Sequence, residues 1–64
     1  MQSSNIYAAG YDAGSRTLEI EFATGSVYQY RDVPPETWQQ FQADASKGTF
    51  YNKRIKGKYE GREL

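Results

Sequence analysis

Lys47, Lys53, Arg54, Lys56 and Lys58 fall within the thirteen residues 47–59, interleaved with Phe50, Tyr51 and Tyr59. Cations at that density with rings among them suit a surface that tracks phosphates and stacks on bases. On this reading the five cations take phosphates, while Asn52, Tyr51 and Tyr59 supply polar or stacking contacts to bases. A plainer reading sends Phe50 and Ile55 into the core and leaves the lysines to keep an aromatic-rich chain soluble. Tyr28-Gln29-Tyr30 is the second constellation. Two tyrosines at i and i+2 leave a strand on one face, as base-stacking aromatics do in small RNA-binding sheets. The alternative buries both rings and brings their hydroxyls to the rim of the core. The scarcity of aliphatic residues favours the core for them.

Catalytic chemistry has little to work with. The chain has no histidine and no cysteine, which removes the usual nucleophile–base pairs and the usual zinc ligands. Glu19 and Glu21 alternate along one strand face with Gln29 and Arg31 nearby, the pattern of a wetted sheet surface. Gly48, Gly57 and Gly61 match neither phosphate-loop spacing, and no run has the calcium-loop pattern. The expectation is a protein that is not an enzyme and uses no cofactor or metal.

Sixty-four residues make a single domain, residues 1–64, and a chain of this size buries only about 60% of its unfolded surface. Without disulfides or zinc, six Tyr, three Phe and one Trp must supply the buried area. No apolar run approaches the roughly 18 residues of a membrane span. Met1–Asn5 lacks the basic and apolar segments of a secretory leader, so the expected location is cytoplasmic, with no membrane partner. The formal charge is zero, but unevenly placed. Residues 1–46 carry two cations against six carboxylates, and residues 47–64 carry six cations against two. That asymmetry points to an anionic partner for the basic end. Otherwise the basic tail packs on the acidic strand faces and neutralises them.

The elements that must position these residues are legible in outline. Leu18, Ile20 and Phe22 alternate with Thr17, Glu19 and Glu21, and Val27, Tyr28 and Tyr30 begin a second strand. A three-residue loop, Ala23-Thr24-Gly25, with Gly25 left-handed as a G1 bulge, pairs Phe22 with Ser26, Ile20 with Tyr28 and Leu18 with Tyr30. A two-residue loop would expose half of that apolar set. Ser3–Asp12 reads as the first strand. Its apolar Ile6, Ala8, Ala9 and Tyr11 fit no single alternation, which places a bulge at Gly10. Asp12–Arg16 is turn chemistry, with Gly14 tolerating positive φ. Pro34-Pro35 and Glu36 open an amphipathic helix to about Ala45, with Trp38, Phe41 and Ala45 as its stripe. Trp38 and Phe41 are expected over Leu18, Ile20 and Tyr28. Beyond it, Gly48 is a C-cap, or Ser46 or Thr49 caps a second short helix. Residues 57–64 read as irregular and prone to fray.

The Leu18–Phe22 strand, Tyr28-Gln29-Tyr30, Val33-Pro34, and Ser46-Lys47-Gly48, Phe50, Asn52, Ile55-Lys56 and Tyr59 together resemble the KTSC domain from about Ser4 to Tyr59. That family is named for a domain at the C-terminus of some lysyl-tRNA synthetases and also occurs as short stand-alone bacterial and phage proteins. The resemblance implies association with RNA through the company the domain keeps, and it brings no catalytic residues. The expected fold is α+β: a three-stranded antiparallel meander, one amphipathic helix on a face, and a short C-terminal helix or turn. The leading functional expectation is an RNA-binding module. The alternative is a small phage or bacterial accessory protein that docks on a protein partner through the outer sheet face or the Tyr7/Tyr11 edge. A weaker third is sequestration of a small anionic ligand such as a nucleotide signal.

Overall fold

The computed structural model describes residues 6–64; Ser3–Asn5 of the expected first strand and the stretch read against a leader lie outside it. Four antiparallel strands form one sheet in the order β1 (Ile6–Asp12), β2 (Thr17–Phe22), β3 (Val27–Tyr30) and β4 (Gly61–Glu63). Helix α1 (Pro35–Ala43) and a four-residue α2 (Lys47–Phe50) follow β3, and α2 runs into a π-helical turn, Tyr51–Ile55.

The central hairpin has the expected register. Phe22 N–H donates to Ser26 O (2.9 Å) and Gly25 N–H to Phe22 O (2.8 Å). Gly25 has φ +97°, a region that L side chains adopt with difficulty. Ile20 faces Tyr28 and Leu18 faces Tyr30. The bulge of β1 lies at Tyr7, not at Gly10: the register shifts between Ile6, opposite Phe22, and Ala8, opposite Glu21. Ile6 and Ala9 share the inner face three residues apart, so the extra residue has to fall between them. The turn into β2 is capped by Asp12, whose carboxylate accepts from Gly14 N–H (3.1 Å) and Ser15 Oγ (3.0 Å). Its left-handed residue is Arg16 (φ 54°), not Gly14.

Helix α1 stops at Ala43, two residues short of expectation, and leaves Ala45 exposed. Asp44 ends it: its Oδ1 accepts the Ser46 N–H at 2.8 Å, a local bond that competes with another helical turn. The core is Leu18, Ile20, Tyr30, Val33, Phe41, Phe50, Tyr51 and Ile55, with Ile6, Tyr11, Phe22, Tyr28, Trp38 and Tyr59 packed around it. Trp38 turns toward β1, stacking on Tyr11 (5.7 Å) and on Phe41 (5.8 Å); the ring neighbours of Tyr28 are Phe22 and Tyr30.

Residues 61–63, expected to be irregular, form a fourth strand. Tyr28, Gln29 and Tyr30 pair with Glu63, Arg62 and Gly61, and Leu64 N–H extends the ladder to Val27 O (2.8 Å). A β-carbon at Gly61 would lie 2.6 Å from Tyr30 Cε2, so the strand can lie against that ring only because the residue is glycine. The outer face of the sheet is wet, with Gln29 Nε2 donating to Glu19 Oε2 at 3.2 Å.

Candidate functional site

The basic segment begins at a helix cap. Ser46 Oγ accepts the Thr49 N–H (3.4 Å) and starts α2, one of the alternatives the sequence left open. The helix then widens: Lys56 N–H reaches Tyr51 O at 2.8 Å, an i to i+5 bond. The one-residue slack of a π turn allows Phe50, Tyr51 and Ile55, spaced i, i+1 and i+5, all to be buried. Asn52, Lys53, Arg54 and Lys56 are left on the wet side.

That geometry divides the expected site residues. Lys53, Arg54, Lys56 and Lys58 are exposed, and among the described residues none forms an ion pair with a carboxylate. No ion pair with Glu19, Glu21, Asp32 or Asp44 fixes these side chains, while Asp44 lines the same depression as Lys53 and Arg54, and Asp32 the same depression as Lys58. The Arg54 guanidinium lies over the Phe50 ring, 5.8 Å from its centroid, and that ring meets Phe41 edge-on at 5.8 Å. Lys53 and Arg54 form one wall of a shallow groove whose other wall is Gln40 and Ala43 of α1 with Asp44 just beyond it. Lys58 lines a separate depression with Arg31, Asp32, Tyr59 and Glu60.

Three expected contacts are placed elsewhere. Lys47 Nζ donates to Gln42 O (3.1 Å) and Asp44 O (2.8 Å), so this cation satisfies carbonyls at the end of α1. Tyr51 is 7% exposed, and its hydroxyl shares a 2.5 Å hydrogen bond with that of Tyr30; no base can stack on it. Tyr59 is half-buried, with its hydroxyl 3.3 Å from Thr37 Oγ1. Tyr30 is a core residue at 4% exposure, and Tyr28 is half-buried with its hydroxyl toward Glu63 (3.4 Å). The Tyr-x-Tyr pair thus fastens the sheet to the π turn and to β4. Burial, then the bond to Tyr51, then the neighbouring phenols push the Tyr30 hydroxyl far above the usual phenol range, so it stays protonated at physiological pH.

Gln40 was not singled out from the sequence, and Arg31 was read only as part of a wetted sheet surface, because both join the basic residues only through tertiary packing. Among the described residues no group of three or more His, Cys, Asp or Glu could hold a metal ion, and no helix is long and apolar enough to cross a membrane.

The model of the KTSC domain matches residues 2–59. The chain belongs to the KTSC domain family. A crystal structure of a KTSC domain protein from Yersinia pestis superposes with a TM-score of 0.91 at 42% identity, covering 100% of this chain and 90% of that one. A lysine–tRNA ligase of Nostoc punctiforme is 41% identical over 63 residues, 98% of this chain but 11% of the ligase. A protein of Stutzerimonas stutzeri is 39% identical over 56 residues, 88% of this chain and 79% of its own length. This chain therefore spans about a tenth of the ligase it matches. The family match ends at Tyr59, before β4, whereas the Yersinia structure covers the whole chain.

Proposed function

We propose that this KTSC domain is a non-catalytic module that binds single-stranded RNA in the cytoplasm through Lys53, Arg54, Lys56 and Lys58, with Asn52 at the margin. The observation that carries the reading is a set of exposed cations on the π turn and in the three residues after it, none in an ion pair with a carboxylate among the described residues. The similarity to a lysine–tRNA ligase, a protein named for an RNA substrate, supports it. With Tyr51 buried, the contacts are to phosphates, and Arg54 offers the planar group on which a base can rest. Lys47 and Tyr51, both occupied within the fold, have no part in it.

Titration of labelled single-stranded RNA at two salt concentrations tests the proposal. Three or four phosphate contacts give a log–log salt slope of about −2 to −3 on single strands. Lys53→Ala with Arg54→Ala should weaken binding to every sequence alike and leave the melting temperature almost unchanged. Absence of binding at low salt would refute the reading.

A further inference from the structure

Among the described residues of one copy, nothing requires residue 10 to be glycine. Its φ is not in the left-handed region, it is not the bulge of β1, and a β-carbon there would meet nothing within 4 Å. Glycine in the middle of a strand weakens it, and one recurrent justification is the close approach of another backbone.

The free edge of β1 shows which backbone fits. Phe22 exchanges its main-chain bonds with the β3 side of the sheet, and by alternation so do Ile20 and Leu18. Their β1 partners, Ala9 and Tyr11, must then turn their own N–H and C=O groups outward, where no strand among the described residues pairs with them. From Ile6 to Tyr11 this edge carries no charge and no proline, the devices that ordinarily discourage strand addition. Beyond the bulge at Tyr7, residues 8–12 form a regular run centred on Gly10.

We propose that this edge pairs with the same edge of a second copy, antiparallel, about a two-fold axis at Gly10. Ala9 of each copy then exchanges two main-chain hydrogen bonds with Tyr11 of the other, four in all. The two Gly10 residues face each other as a non-hydrogen-bonded pair, the closest approach that antiparallel strands make. An isologous contact of this kind is self-complementary by symmetry. It joins two four-stranded sheets into one of eight, with both α1 helices on the same side. A second copy fits because self-pairing at this point sets the uncharged, side-chain-free Gly10 of one strand against the same bare residue of the other. Four main-chain bonds and small side chains bury little area, so the dimer is weak and concentration-dependent.

Sedimentation of the full chain from micromolar to millimolar concentration should show the mass rising from 7.3 kDa toward twice that value. Amide exchange should report new protection at Ala9 and Tyr11 over the same range. Gly10→Lys places two like charges opposite each other at the axis while entering open space in the monomer, and should hold the mass at 7.3 kDa. Ala9→Pro removes an outward N–H that the monomer does not use, and should do the same; if it melts, Gly10→Lys decides alone. A chain that stays monomeric throughout would overturn the proposal. So would a dimer that survives Gly10→Lys, or Ala9 and Tyr11 amides equally protected at every concentration.

Discussion

β4 closes one edge of the sheet with three residues, two of them charged, seated by Gly61 against the Tyr30 ring. β1 forms the other edge with seven residues, of which Asp12 alone is charged, and a β-carbon at its Gly10 would meet nothing within 4 Å. The two glycines look alike in the sequence and have opposite surroundings. On the β4 side a missing side chain makes room for a core ring, so the strand is fixed by shape even though its own residues are exposed. On the β1 side a missing side chain leaves a bare strip of backbone. Close packing is concentrated where β3, β4 and the π turn meet around Tyr30, and the open backbone lies at the opposite margin.

The sharpest way to break this contrast is Gly61→Val. The added atoms collide with Tyr30, and overpacking of this kind should cost about 2–3 kcal/mol, read as a lower urea midpoint with faster amide exchange at Leu64. A melt unchanged from the parent would mean that β4 is not seated on the ring. Tyr51→Phe is next. It strands the buried Tyr30 hydroxyl and should cost about 1–2 kcal/mol, with much of that loss recovered when Tyr30→Phe is added. Alkaline pH perturbs the same junction. The folded chain holds the Tyr30 proton above the phenol value of about 10 that applies after unfolding. The folded state thus binds more protons above that pH, and stability, fully present below it, should fall by up to about 1.4 kcal/mol per pH unit as pH rises further. A denaturation midpoint that climbed above pH 10 would contradict this. Gly10→Ala should have the smallest effect and the opposite sign. Measured on dilute protein, it should stabilise by about 0.5–1 kcal/mol, because strand glycine costs entropy and the new methyl meets no neighbour.

The central hairpin was legible in the sequence because two local signals agree there: the alternation from Leu18 to Phe22, and a glycine at the one loop position that needs positive φ. Helix α1 was legible from Pro35 and Trp38 to Phe41, but its end was set by an Asp44 side-chain bond that a stripe of apolar residues does not reveal. β4 left almost no local signal. Gly61-Arg62-Glu63 has neither β-branched residues nor alternation, and its strand geometry comes from β3 and from a ring 31 positions earlier in the chain. The basic segment misled for a similar reason. Phe50, Tyr51 and Ile55 spread over roughly 140° of an ordinary helix, and the wider π turn draws them closer to one side. Tyr51 consequently exchanged a surface role for a buried one, while Lys47 was taken up by the carbonyls of Gln42 and Asp44.

The pairing of β3 with β4 also sets an order of assembly. The β1–β2 and β2–β3 hairpins link residues close in sequence and can form within microseconds. The Tyr28–Glu63 contact spans 35 positions, and closing a loop of that length carries an entropic term of about 3 kcal/mol. That penalty falls mainly after α1 and the π turn have drawn the ends together. β4 is therefore expected to be the last piece laid on the sheet during folding and the first to lift in a partial opening. A mild transient unlatching would uncover the Tyr30 ring while the first three strands stay intact.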